Sequence, residues 1–419
     1  MRTLFVAPMQ RSSGEASTVV AMVRSLLERN HSAYVLASQE LAGSIRARVN
    51  VPVDALGPHL PANQAQWRST VDEFAPSHIV FADFPMLAGF SSGVAPLCTP
   101  SWTRQLMAMN ATVFTLDHLG YGQTSMRLYF GPPHLCSQPV RIPELPEGMR
   151  TLLPCPVHDP GQLAGRRGTP FSIQPPPSPT VREECRERTR ARFGITDGVM
   201  IVHCASQWAH RFCTAFDLSY YSILTRIWAW YFRDAPGPVT VISVNGVTDA
   251  LIENNVRVVA SSSLPEGEFS QLIASCDLFL NENPFSSVLG HTVSQGIPAA
   301  CFVNSYRIGD LADNAPPALR ALAFEMEEHR RGSVFPYRVF PLDFRAELET
   351  MQLFRANRFV QTFEELEVWG GSPTQTRLHD LLWDEGTQSR LRKAQGDYAA
   401  ALAALPGPQE VLAARGDTA

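Results

Sequence analysis

Short apolar runs alternate with amphipathic stretches along this chain, and they do so twice, on either side of a proline-rich break. Residues 3–8 are an apolar run of strand type, residues 9–14 a polar loop, and residues 16–29 a helix with Val19, Val20, Val23, Leu26 and Leu27 on one face. Residues 33–37 make the next strand. Strand, helix, strand in that order predicts parallel pairing through a right-handed crossover, so the fold class is α/β. Ligands of such sheets bind beyond the carboxyl ends of the strands. The loop 10–15 lies at such an end. So do Asp83, Phe84 and Met86, after strand-like residues 79–82, and Asp117 and His118, after strand-like residues 112–116. These polar clusters are expected to line one cleft.

The break is the second constraint. Prolines crowd residues 131–179 and end in Gln174-Pro175-Pro176-Pro177-Ser178-Pro179. A triple proline holds polyproline geometry and can continue neither a helix nor an inner strand. Residues 171–180 are therefore expected to link two domains, with an irregular wall of the first domain before them. A chain of 419 residues is long for one core, which agrees. The expected domains are 1–170 and 181–385, with a terminal helix and tail over 386–419. In the second half the alternation resumes as a helix over 181–193, a strand over 199–204, a helix over 218–232, strands over 239–244 and 256–260, and a helix over 266–275.

That helix delivers the chain into residues 276–315, CDLFLNENPFSSVLGHTVSQGIPAACFVNSYRIGDLADNA. A short apolar strand ends in a polar turn broken by Pro284. Ser286 and Ser287 then open a helix that Gly296 closes, as hydroxyl N-caps and a glycine C-cap would. A helix start at the end of a parallel strand offers free backbone N–H groups and the positive end of a dipole, which suits a phosphate. Asn283, Ser286, Ser287 and His291 are its candidate ligands.

Charge and hydropathy narrow the partners. The net charge of −5 carries no nucleic-acid footprint. No apolar run reaches the roughly 20 residues of a membrane span, and the first ten residues lack a signal-peptide core, so a cytoplasmic location is expected. The eight cysteines form no CxxC pair, and no metal site is expected.

The pattern resembles the GT-B glycosyltransferases that use UDP- or TDP-sugars without a metal. Three local matches carry the resemblance: Cys276-Asp277-Leu278-Phe279 with Gln295-Gly296-Ile297-Pro298, the box Asp310-Leu311-Ala312-Asp313-Asn314-Ala315, and the first loop ending Gly14-Glu15 ahead of Arg29-Asn30-His31. The resemblance implies two Rossmann-like domains facing across a cleft, with a C-terminal helix that can cross back onto the first. It implies transfer of a sugar from a nucleoside diphosphate to a small, natural-product-like acceptor, with inversion and no cofactor. Asn283-Pro284-Phe285 departs from the family's paired glycines, His291 from its ribose-binding acid, and Leu311 from its sugar-binding glutamine.

In inverting transfer a base takes the acceptor's proton as the acceptor attacks the anomeric carbon. The resemblance places that base at Glu15, with Asp117 and His118 as competitors. It assigns Ser206 and Trp208 to the diphosphate and nucleobase, and Asp310 and Asn314 to the donor sugar. Ser13, Asp83, Phe84, Met86 and Tyr121 form the acceptor side, where buried core is the alternative for the aromatic residues. Two other readings fit the same residues: a nucleotide-sugar epimerase or hydrolase, and a non-catalytic homologue acting as a binding partner.

Overall fold

The computed structural model describes residues 1–10, 13–89, 94–118, 127–128, 140–141, 143–155, 168–173, 179–205, 220–247, 249–304, 311, 315–329 and 357–414. The chain falls into two compact units, Met1–Pro175 with Ala401–Ala419, and Pro176–Ala346 with Ala356–Ala400.

The first unit is built on β1 (Arg2–Ala7), β2 (Ser32–Ser38), β3 (Val53–Leu56), β4 (His78–Phe81) and β5 (Thr112–Leu116). A small antiparallel ribbon of β6 (Arg127–Leu128) and β7 (Val140–Arg141) follows, and β8 (Arg150–Cys155) and β9 (Thr169–Ser172) complete the main sheet. Its order is β3-β2-β1-β4-β5-β8-β9, parallel throughout. The chain winds outward from β1 to β3, then returns to set β4 on the other side of β1. The switch point of the sheet, where crossing helices diverge and leave a crevice, thus lies between β1 and β4. After Arg2, every residue of β1 is buried, so it reads as one apolar run and not as an alternating pattern. Helices α1 (Ser13–Leu27), α2 (Gln39–Arg46), α3 (Leu60–Phe74), α4 (Phe84–Gly89) and α5 (Pro100–Met107) flank the sheet. Phe5 and Ala7 face a core shared with Val19, Val20, Val23 and Leu26 of α1, while Leu4 and Val6 face another built on Trp67, Phe81 and Trp102.

Strands β8 and β9 correct the expectation of an irregular wall over 131–170. Pro170 lies in β9, the sheet's edge, where a missing N–H costs no inner ladder bond. Pro154 of β8 lies past Leu152, the last residue paired with β5. Phe171, expected in the linker, is fully buried in β9, and residues 174–178 lie outside the described residues.

The second unit starts with α6 (Pro179–Arg192), β10 (Val199–Cys204), α7 (Tyr220–Phe232), β11 (Val239–Val244), β12 (Leu251–Glu253), β13 (Val256–Ser261) and α8 (Glu266–Ser275). It continues through β14 (Leu278–Asn281), α9 (Ser287–Ser294), β15 (Ala299–Val303), α10 (Pro317–His329), a 3-10 turn (Arg358–Gln361) and β16 (Glu364–Glu367). The sheet order is β12-β13-β11-β10-β14-β15-β16, with only β12 antiparallel. The winding again reverses, and the switch point lies between β10 and β14. Helix α7 is the centre of the core, with Tyr220, Ile223, Leu224, Ile227, Trp228, Tyr231 and Phe232 all buried.

The C-terminal part carries two successive helices, α11 (Ser372–Trp383) and α12 (Glu385–Ala403), which meet at Asp384. A last helix, α13 (Pro408–Ala413), crosses back onto the first unit. Its Val411 and Leu412 enter the core beside α1, the Ser172 N–H donates to the Pro406 carbonyl at 3.0 Å, and Ser25 on α1 hydrogen-bonds Gln409. The aromatic segment 335–344 lies outside the described residues.

Candidate functional site

In the second unit the candidate site is the turn from β14 into α9. Asn283 builds it: its side-chain oxygen accepts the Phe285 N–H at 3.0 Å, and its carbonyl accepts both the Ser286 N–H and the Asn281 side-chain N–H, each at 3.0 Å. Pro284 suits the turn because it needs no partner for a missing N–H. Ser286 then caps α9 by accepting the Leu289 N–H at 3.3 Å. The amides of Ser287 and Val288 have no carbonyl one turn back within the helix, as at the start of any α-helix. An asparagine side chain thus shapes the turn. At the far end Gly296 (φ 71°) takes the left-handed position that closes the helix, with Ile297 donating to the Thr292 carbonyl.

His291 sits one turn into α9. Burial lowers its pKa, with the charge of Glu266 working the other way. Its imidazole is therefore neutral near pH 7 and would meet a ligand as a hydrogen-bonding group, not as a cation. Leu311, in the box 310–315, is fully buried in the α7 core. Ser206, Trp208, Asp310, Asn314 and Tyr121 lie outside the described residues.

In the first unit the sequence candidates meet at the β1/β4 switch point. Glu15 stands in the first turn of α1, and Ser13 is that helix's first residue. Asp83 follows β4 and caps the short α4, its carboxylate accepting the Met86 N–H at 2.9 Å. Asp117 follows β5 and is fully buried, and His118 beside it is half-buried. Burial raises the Asp83 pKa well above the ordinary carboxylate range, and the nearby charges of Glu15 and Asp117 raise it further, against the Met86 hydrogen bond. Glu15 on α1 and Asp117 after β5 are therefore both close enough to act on Asp83, which burial disposes to keep a proton. Phe84 is core: its ring meets Phe81 edge-on at 5.3 Å. Met86 is also buried. Among the described residues no group of three or more His, Cys, Asp or Glu is placed to hold a metal, and no helix is long and apolar enough to cross a membrane.

A family model described as a family of unknown function, DUF6365, matches residues 23–416. The chain belongs to that family. No curated protein sequence matches this DUF6365 member. Among solved structures its fold is similar to that of the spinosyn forosaminyltransferase SpnP, with TM-score 0.53 and 13% identity over 99% of this chain and 100% of that one. A glycosyltransferase from Rickettsia africae ESF-5 gives 0.52 and 9%, over 98% and 95%. The spinosyn rhamnosyltransferase SpnG complexed with thymidine diphosphate gives 0.51 and 14%, over 98% and 99%. This DUF6365 chain has the GT-B fold.

Sequence reasoning missed one buried polar group of the second unit. His203, the penultimate residue of β10, hydrogen-bonds Ser243 of β11 through Nδ1 at 2.8 Å and Glu282 through Nε2 at 2.7 Å. Tyr220 of α7 donates to the same Glu282 oxygen at 3.4 Å. Each residue lies in a run that reads as ordinary strand or turn, and only the strand order brings them together.

Proposed function

We infer that this chain is a glycosyltransferase that moves a sugar from a nucleoside diphosphate to a small-molecule acceptor. The observation that carries this reading is the capped start of α9 at the β10/β14 switch point, an anion-binding helix end placed where doubly wound sheets hold nucleotides. It is supported by the likeness in fold to a rhamnosyltransferase complexed with thymidine diphosphate and to a forosaminyltransferase. The second unit holds the diphosphate on the Ser287 and Val288 amides, with Ser286 and Asn283 shaping the turn. Asp310 and Asn314 are proposed for the sugar, and Ser206 and Trp208 for the diphosphate and base.

The first unit supplies the base. Glu15 takes the acceptor hydroxyl's proton as the oxygen attacks the anomeric carbon. The carbon–oxygen bond to the diphosphate breaks on the opposite face, and the diphosphate leaves with the electron pair. Asp117 supports this role electrostatically while Asp83 stays protonated, since a like charge close by raises a carboxylate's affinity for the proton it takes. The reaction proposed needs no metal, because the leaving diphosphate is stabilised by helix amides. A natural-product scaffold is the acceptor class we favour, by likeness in fold to the spinosyn enzymes.

Two experiments test the reading. Thermal shift against TDP, UDP, ADP and GDP is expected to show one of them raising the melting temperature with concentration, as binding to the folded state requires; a flat response to all four overturns it. With the matching nucleotide sugar, release of nucleoside diphosphate is expected to depend on an added acceptor. Equally fast hydrolysis or epimerisation of the donor alone would replace transferase with the other enzyme class.

A further inference from the structure

We propose that His203 is a positioning residue for the donor site: through Glu282 it fixes the turn that presents the amino end of α9. The proposal rests on the donor reading above and adds the group that holds its turn in place. His203 lies at the end of β10 and Glu282 directly after β14, so their 2.7 Å contact spans the switch point. At that crevice the crossing helices diverge, and beyond the last paired residues, His203 with Leu280, the two strand ends have no common ladder. A side-chain link from His203 takes over where that pairing ends.

The Val247 N–H donates to Ser243 Oγ at 3.1 Å, which leaves the Ser243 hydroxyl proton free to go to His203 Nδ1. Nε2 faces the Glu282 carboxylate, whose oxygen accepts, and so donates to it. The chain Val247, Ser243, His203, Glu282 thus runs across three adjacent strand ends in one sense. The ring is held on its sides as well: Trp228 meets it edge-on at 4.7 Å, and a Cβ on Gly246 would fall 2.6 Å from its Cε1 and 2.5 Å from Ser243 Oγ. The glycine is required by that close approach.

Burying a histidine and a glutamate together is a poor way to gain stability, since desolvation offsets most of their attraction. What the arrangement supplies is a fixed Glu282. One residue on, Asn283 starts the turn that ends in the Ser286 cap, so the orientation of Glu282 sets where the α9 amides point.

The test is binding of TDP and UDP to the full chain by calorimetry, with turnover alongside. His203→Gln places an amide nitrogen where Nε2 stands and keeps the donor to Glu282; His203→Asn reaches only the Nδ1 side. Both lose the ring's packing, the Asn variant by one methylene more. The Gln variant is expected to bind within about threefold of the parent, and the Asn variant about tenfold more weakly, the scale of one lost hydrogen bond to a charged group. In the Asn variant the loss is expected in KM for the donor more than in kcat. Equal weakening in both, or none in either, overturns the proposal. If the Asn variant does not fold, Gly246→Ala keeps every polar group and crowds the ring instead; weaker binding is expected, and an unchanged Kd overturns the proposal. A parent protein that binds neither TDP nor UDP, nor ADP or GDP, overturns the donor reading and this inference together. Parent binding with unaltered variants overturns the inference alone.

Discussion

Asp83 shows how a side chain's surroundings set its chemistry. Its folded-state pKa lies above its unfolded value of about 3.9. As pH rises past that value the unfolded chain releases the proton while the folded chain keeps it, so the residue lowers stability increasingly until its folded pKa is passed. Asp83→Asn stays neutral throughout, and its side-chain oxygen can still accept the Met86 N–H. The variant should melt close to the parent at pH 4 and progressively higher than the parent towards pH 8; a difference that does not change with pH would contradict the raised pKa. Glu15 carries the complementary prediction. Glu15→Gln should lower turnover by roughly 10²- to 10⁴-fold, the range of a lost general base, with nucleoside diphosphate affinity nearly intact. Unchanged turnover would move the role to Asp117 or His118. The sequence shows Asp83 because it follows an apolar strand, and Glu15 because it ends the loop after one. It hides the His203 link, whose members are 40 and 79 positions apart and which exists only because β11 and β14 flank β10.

Among the elements, α9 allows capping and ligand binding to be separated. Ser286→Ala should cost about 1 kcal/mol of stability, the usual value of a lost N-cap. Ser286→Asp should keep the cap, because a carboxylate caps well and favours the positive end of the dipole. It should nevertheless weaken diphosphate binding at least about tenfold by like-charge repulsion. Binding as tight as the parent's in Ser286→Asp would place the phosphates elsewhere. Legibility follows burial at this scale. Strands β10 and β11 are apolar on both faces, and residues 199–204 and 239–244 read directly as strands. Strand β16 is Glu-Glu-Leu-Glu at a sheet edge, where charge is favoured and the strand pattern is lost. Its Glu364 pairs with Arg390 of α12 and lies 3.7 Å from Arg377 of α11. Strands β8 and β9 are masked in a different way, by prolines that the sheet tolerates at its margin.

For the molecule as a whole, two units with separate cores should respond separately to substitution. Leu412 is buried beside α1, so Leu412→Ala is expected to cost the first unit about 2–5 kcal/mol, as large-to-small changes in a core do. Hydrogen exchange read by mass spectrometry should show lost protection in β1, β2 and α1 and unchanged protection in β10, β11 and α7. Loss in both sets would mean that the two cores unfold as one. The alternating pattern of strands and helices reveals the doubly wound class in each half, whereas the return of α13 depends on a few apolar residues, Val411 and Leu412, in a short polar segment. That return also orders events in time. The ribosome makes α13 roughly 230 residues after β9, which at 5–20 residues per second is about 10–50 s of synthesis. The nascent first unit waits through that interval with its α1 face uncovered, while the second unit, almost wholly made, can fold ahead of it.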